Sequence, residues 1–345
     1  MRIVFATHEG VPLYGGGPSV NIRETQRELL KLGVDVELFD MWKAPEQLAN
    51  CDLVHLFGAN FSMYNLARNL HYQNIRFVVN TIFYTRRSAR TLRAVHRADQ
   101  LTRKIMRGVW WEFGFTRDIC EWAEQVLPNT TDEGRIISQG FGIPAEKFSV
   151  IHNGVSPRFL NGDPSLFKKK YGLENFILTV GHIGPGRKNM LRLVRALAEI
   201  DHPAVLITRI LHTGETEQVL AEAKRNKNLR IIEGLPNDGS LLASAYAACD
   251  VFALPSQFET PGIAALEAAL AGAKIVITPH GGPREYFRDY AEYVNPYSIE
   301  DIRHGIETAL NQPKNTALRD HVRQNFLWSK IAEDTLKIYQ KILQI

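Results

Sequence analysis

The stretch "NFILTVGHIGPGRKNMLRLVRALAEI" (175–200) opens with an apolar run. It passes through a loop holding Gly181, Gly184 and Gly186 and closes on apolar residues at helical spacing. A buried strand, a glycine-rich turn and an amphipathic helix in that order begin a parallel βαβ unit. The pattern continues in "AVLIT" (204–208), "LRIIEG" (229–234), "DVFALPS" (250–256) and "KIVITP" (274–279). It also has an earlier counterpart. "RIVFAT" (2–7) leads through "EGVPLYGGGPS" (9–19) into "VNIRETQRELLKLG" (20–33), where Ile22, Leu29, Leu30 and Leu32 fall near one face. Gly33 stands at the C-terminal stop of that helix. "VDVELFD" (34–40), "DLVHLFG" (52–58) and "RFVVNTIF" (76–83) supply further strands.

This alternation predicts an α/β chain of two Rossmann-like, doubly wound parallel-sheet domains. The expected division is 1–160 and 170–326, with the boundary in "SPRFLNGDPSLFKKKYG" (156–172), rich in Pro, Gly, Asn and charge. The last helix, 327–345, is expected to pack back on the first domain. Two such domains leave a cleft where the carboxyl ends of their strands face each other, and ligands of these sheets bind at those ends.

Composition agrees. The 345 residues exceed what one core usually supports, which favours two domains. A 45% hydrophobic and 23% charged content is that of an ordinary globular enzyme. A net charge of +4 is too mild to indicate nucleic acid. Cys51, Cys120 and Cys249 show no short spacing, which argues against disulfides and zinc and fits a reducing cytoplasm. The opening "MRIVFATHEG" reads as a strand and not a signal peptide, and no run approaches the about 20 apolar residues of a membrane span.

"PSQFETPGIAALEAALAG" (255–272) carries Glu259 and Glu267 around a small-residue helix. Thr260 suits the N-cap, Pro261 the first helical position, and Ile263, Leu266 and Leu270 a buried stripe. The free amides of the first turn favour an anion. Glu267 then lies two turns in, about 10 Å along the axis, where a carboxylate can accept bonds from both hydroxyls of a ribose. The alternative is an exposed Glu267 selected for helix propensity. In "VGHIGPGRKN" (180–189), Arg187 and Lys188 follow a glycine-rich loop that allows phosphate to approach. The alternative is a solvated basic helix start, although cations there oppose the dipole. "YGGGPS" (14–19) removes side chains at Gly15, Gly16 and Gly17, as space for a phosphate or sugar or as a flexible turn. It is not a dinucleotide fingerprint, because the third glycine would fall at Val20. His8 and His152 follow strands and read as loop residues.

In combination these stretches resemble the glycosyl transferases group 1 family, also called glycosyltransferase family 4. Its members are retaining enzymes with the GT-B fold of two facing Rossmann-like domains. The glutamate pair matches the family's E-x7-E motif. "GGGPS", "VLPNTTDEGRIISQGFGIPAEKFSVIHNGVSPRF" (126–159) and the terminal "FLWSKIAEDTLKIYQKIL" follow its order. The resemblance implies that Lys188 binds the donor diphosphate and Glu267 holds the ribose hydroxyls. It places Glu259 beside the transferred sugar and Leu235 near the base. Gly262, Ile263 and Ala264 would offer backbone amides. His182 stands where the family usually has Arg, and Arg187 is read as supplying that charge. On the acceptor side Asn80 and Thr81 stand where the family often has a histidine, with Arg86 and Arg87 close behind. No cofactor is implied, since the nucleotide-sugar is a substrate. No metal is expected, because no Asp-x-Asp motif stands out and Asp35 and Glu37 read as surface residues.

Arg86, Arg87, Arg90, Arg93, Arg97, Arg103, Lys104 and Arg107 face only Asp99, giving this segment a net charge of +7. "VWWEFGF" (109–115), with Trp110, Trp111 and Phe113, follows at once. Cations beside aromatics suit an anionic membrane surface or a lipid-diphosphate acceptor. The alternative is a solvated helix face plus core aromatics; nucleic acid has no other support. The expectation is a cytoplasmic retaining glycosyltransferase at the inner face of the membrane. It would move a sugar from a UDP- or GDP-sugar to a glycan or lipid-linked acceptor, in surface polysaccharide or lipopolysaccharide assembly. Two alternatives stand beside it: a GT-B-fold nucleotide-sugar isomerase or hydrolase, and a non-catalytic nucleotide-sugar-binding subunit.

Overall fold

The computed structural model describes residues 1–106 and 111–344. Arg107 and Trp110 of the basic segment lie outside the described residues. The chain divides into two compact units, 1–154 with 328–345, and 155–327.

The first unit is built on β1 (Arg2–Thr7), β2 (Asp35–Leu38), β3 (Leu53–Phe57), β4 (Phe77–Asn80) and β5 (Gln125–Leu127). Every pairing is parallel, in the order β2-β1-β3-β4-β5. β3 and β4 are buried along their whole length, as strands covered by helices on both faces must be. Chain order reverses between β1 and β3, which makes the gap between them the topological switch point. The first long helix starts at Gly17, earlier than its apolar pattern indicates, with Pro18 in its first turn. It buries Ile22 and Leu29 beside Asn21, Thr25 and Glu28. Leu30 is turned about 100° from Leu29 and Leu32 lies past the last helical residue, so both are exposed and not part of the stripe. The C-terminal helix, Trp328–Leu343, belongs to this unit. It buries Trp328, Ile331, Ala332, Thr335 and Tyr339. The Tyr339 hydroxyl lies 2.5 Å from His55 Nδ1 on β3. Burial pushes the His55 imidazole down to about 3, so it is neutral.

The second unit carries β6 (Ile177–Ile183), β7 (Ala204–Ile210), β8 (Leu229–Glu233), β9 (Val251–Leu254), β10 (Lys274–Ile277) and β11 (Glu292–Tyr293). All are parallel, in the order β11-β10-β9-β6-β7-β8, with the switch point between β6 and β9. Residues 156–172 are not a linker but part of this unit. Phe159 and Phe167 are completely buried in its core with Phe176. The prolines and glycines read as linker signals are helix punctuation. Asp163 caps the helix Pro164–Tyr171, Pro164 opens it, and Gly172 ends it at φ 70°. No helix among the described residues is long and apolar enough to cross a membrane.

Candidate functional site

In the second unit the loops after β6 and β9 flank the switch point. β6 leads into Gly184, at φ 125°, where a Cβ would come 2.2 Å from the Leu211 carbonyl oxygen, so only glycine fits. Gly186–Lys188 form one turn of 3-10 helix, and Asn189 at φ 57° starts the helix Met190–Ala198. The two cations therefore precede the α-helix and do not occupy its first turn. The Asn189 amide is buried and donates to the carbonyls of Pro255 (2.8 Å) and Pro296 (2.7 Å). The Gln257 amide donates to the Arg187 carbonyl at 2.8 Å, joining the two loops.

The result is a buried ion pair. Lys188 Nζ donates to Glu259 Oε1 at 2.7 Å. Arg187 lies 3.5 Å from the same oxygen, donates to the Phe258 carbonyl at 3.1 Å, and has its guanidinium 5.0 Å from the Phe258 ring centroid. Burial alone would raise the Glu259 carboxyl, but Lys188 and Arg187 outweigh it and hold the group below its usual range. The backbone of Glu259 is clamped as well. Its N–H donates to His280 (3.1 Å) and its carbonyl accepts from Gly282 (2.8 Å). His182 pairs in register with Arg209 of β7. Its imidazole is pushed down by burial and then by Lys188, Arg209 and Arg187, which keeps it neutral near pH 7. Arg209 is thus a further cation near this loop, and only strand register reveals it.

The helix after Glu259 runs Ile263–Ala271, with Gly262 as N-cap at φ 85°. Thr260 and Pro261 are therefore not its cap and first residue, because the left-handed Gly262 breaks the helical path between them and Ile263. Ala265 and Leu266 donate to the Gly262 carbonyl at 2.9 and 3.2 Å, whereas the amides of Ile263 and Ala264 have no acceptor among the described residues. Ile263 is half-buried; from Ala265 to Leu270 the helix is buried on all sides. Glu267 lies about 6 Å from the helix start, one turn in. It is not an exposed glutamate. Tyr246 donates to Oε2 at 2.8 Å and Asn237 Nδ2 to Oε1 at 3.2 Å. Arg158 in turn donates to Asn237 Oδ1 at 3.0 Å. Leu235 is half-buried against the core, two residues before Asn237. The sequence reading missed Asn189, Asn237, Tyr246 and Arg158; the asparagine between "GRK" and an apolar helix was the one available signal.

In the first unit Gly15 and Gly16 adopt φ 68° and φ 87° and Gly17 opens the helix, which gives the open backbone expected of that loop. A cavity of about 220 Å³ lies at the ends of β1, β3 and β4, lined by His8, Phe57, Asn60, Thr81, Phe83 and Thr116, among others. It sits at this unit's switch point. Thr81 Oγ1 and the Phe83 amide donate to Glu133 Oε1 (2.5 and 2.6 Å), and the Asn129 amide to Oε2 (2.8 Å). Burial pushes the Glu133 carboxyl up to about 7, against those three donors. Asn80 does not line the cavity. It donates to Asn129 Oδ1 at 3.2 Å, which also accepts from Asn153 at 3.0 Å, and Asn153 accepts from Asn21 at 2.6 Å. Arg86 and Arg87 are exposed, and the Arg87 guanidinium lies 5.3 Å from the Phe113 ring centroid. The candidates thus form two groups. Arg187, Lys188, His182, Glu259 and the 262–267 segment are in the second unit; Gly15–Gly17, Asn80, Thr81, Arg86 and Arg87 are in the first.

Residues 166–326 match the family model described as "Glycosyl transferases group 1". An uncharacterized glycosyltransferase of Methanocaldococcus jannaschii is 28% identical over 226 residues, 59% of this chain and 57% of that protein. The chain spans 54–60% of the length of the first curated relatives it matches. Among solved structures, a sucrose-phosphate synthase from Thermosynechococcus elongatus superposes with a TM-score of 0.79 at 16% identity, covering 100% of this chain and 99% of that one. Anabaena HepE, solved with UDP and glucose, superposes with a TM-score of 0.70 at 18% identity, covering 99% and 100%. The fold is the GT-B type, two Rossmann-like parallel-sheet units. Through residues 166–326, which fill most of its second unit, the chain is similar to the glycosyl transferases group 1 family.

Proposed function

We propose that this protein is a retaining glycosyltransferase that takes a sugar from a nucleoside-diphosphate sugar, UDP- or GDP-linked, and transfers it to a glycan or lipid-linked acceptor. The observation that carries the reading is the Lys188–Glu259 pair at the β6/β9 switch point, beside the bare amides of Ile263 and Ala264. Breaking the bond to the diphosphate builds negative charge on the leaving group while the sugar carbon becomes cationic. Lys188 and Arg187, with the helix-start amides, are suited to the first charge. The ionised Glu259 is suited to the second. Fixed cations at the diphosphate would do what a metal ion does elsewhere, so metal-independent transfer is part of the proposal. Glu267, held by Tyr246 and Asn237, is proposed to take the ribose, and Leu235 to sit near the base. The solved relative with UDP and glucose supports the donor class. The cavity of the first unit, with Thr81 in its wall, is proposed for the acceptor. Surface polysaccharide or lipopolysaccharide assembly on the cytoplasmic side is the setting this chemistry fits.

The test is nucleotide release from a panel of UDP-, GDP- and ADP-sugars, with and without glycan and lipid-linked acceptors. Acceptor-dependent release is expected. Release or epimerisation without acceptor would instead make the protein a hydrolase or isomerase, and binding without turnover a non-catalytic subunit. Glu267→Ala should weaken donor affinity about tenfold or more. Glu259→Ala should lower turnover more than nucleotide affinity. Wild-type behaviour in both variants would refute the site.

A further inference from the structure

The helix Ala89–Ile105 carries most of the basic segment, and its charges are not distributed evenly around it. Its inner side buries Leu92 and Asp99. Arg103 turns inward to Asp99 (2.9 Å) and Asp118 (2.8 Å), and Arg93 donates to the Gln139 carbonyl at 2.9 Å. These contacts fix which side faces out. On that outer side Arg90, Arg97 and Lys104 are all exposed and recur every seven residues, so at 3.6 residues per turn they form one row along the axis. None of the three has an ion-pair partner among the described residues. Beside them runs a second row, Ala94, Ala98, Leu101 and Ile105, also exposed. It ends in large apolar side chains: Leu101 is 61% exposed, Ile105 83% and Met106 55%, with Trp111 beyond at 41%. The helix contributes no carboxylate to this surface, since its one acidic residue, Asp99, is the buried partner of Arg103.

Packing within the unit does not account for an outward apolar row, and folding does not require an unpaired cation row next to it. A polyanion alone would match the cations but leave Leu101, Ile105 and Met106 in water. A neutral apolar partner would desolvate the cations. An anionic lipid surface satisfies both rows, with headgroups at the cations and the apolar end among the acyl chains. We propose that the outer face of helix 89–105 lies flat on an anionic bilayer, with its Leu101–Met106 end inserted deepest. The long stems of Arg90, Arg97 and Lys104 reach the headgroups from that position. Vesicle binding needs neither donor nor acceptor, so this proposal fails or stands independently of glycosyl transfer.

The experiment is flotation of the full chain with phosphatidylcholine vesicles, plain or containing about a quarter phosphatidylglycerol. The chain should float with the anionic vesicles, stay behind with the neutral ones, and come off as salt is raised. Replacing Arg90, Arg97 and Lys104 together by Gln should lower partitioning about a hundredfold, at about a tenfold loss for every one or two cations. Leu101→Ser with Ile105→Ser should leave a weaker, fully salt-reversible association. All five positions are exposed, and an unchanged thermal transition checks the fold of each variant. Equal flotation with neutral vesicles, wild-type flotation of both variants, or retention on duplex DNA with no vesicle binding overturns the proposal. The first two outcomes need no assumption about activity.

Discussion

Glu133 holds together the loop that lines the first unit's cavity, through Thr81 and Phe83, and its carboxyl is pushed up to about 7 by burial. A raised carboxyl favours the folded state when protonated. That stabilisation is complete below the ordinary value of 4.5 and is lost as pH rises through about 7. The wild type is therefore expected to lose up to about 3 kcal/mol between those limits, and Glu133→Gln to abolish this part of the slope. Urea midpoints at several pH values measure it; parallel pH profiles for both proteins would exclude the effect. Glu133 was not visible as special in "NTTDEG", because its burial comes from Thr81 and Phe83, about fifty positions away. The same holds for Tyr246 and Asn237 around Glu267, and for Arg209 opposite His182. Lys188 and Glu259 could be found because each sits two residues from a Gly or Pro in a loop that follows an apolar run. Their direct contact at 2.7 Å could not, since it depends on Asn189 tying two loops together.

At the level of elements, glycines decide where the second unit's loops can go. Gly281, at φ 94°, lies against the backbone of Glu259, and a Cβ there would come 2.0 Å from the Glu259 carbonyl oxygen. Gly281→Ala should cost about 2 kcal/mol or more and displace Glu259, so melting temperature and turnover should fall together. A variant that melts like wild type and keeps full turnover would show that this clamp is dispensable. The elements themselves were readable, since each apolar run became a strand. Boundaries were less so. Thr260-Pro261 has the residue types of a helix start, yet Gly262 takes a left-handed conformation and delays the helix to Ile263. In 156–172 the Pro and Gly residues cap helices that hide Phe159 and Phe167; composition shows the punctuation but not what it encloses.

On the scale of the molecule, each sheet places some of its candidate groups at a switch point, Thr81 at β1/β3 in one unit and Lys188 with Glu259 at β6/β9 in the other. Alternation of strand and helix announces parallel sheets, but strand order does not follow from it, so the coincidence emerges only from the fold. A chain ending at Leu327 should lose the contribution of Trp328, Ile331, Ala332 and Tyr339 to the first unit. Residues 1–154 should then become protease-sensitive while a fragment near 155–327 survives, as mass spectrometry of limited digests would register. Equal resistance of both units would contradict the packing of this helix. The same arrangement sets an order of events on the ribosome. Residues 155–327 emerge as one uninterrupted piece, whereas the part made first lacks its last helix until translation nears residue 343. The half that leaves the ribosome earliest is therefore the half that matures last.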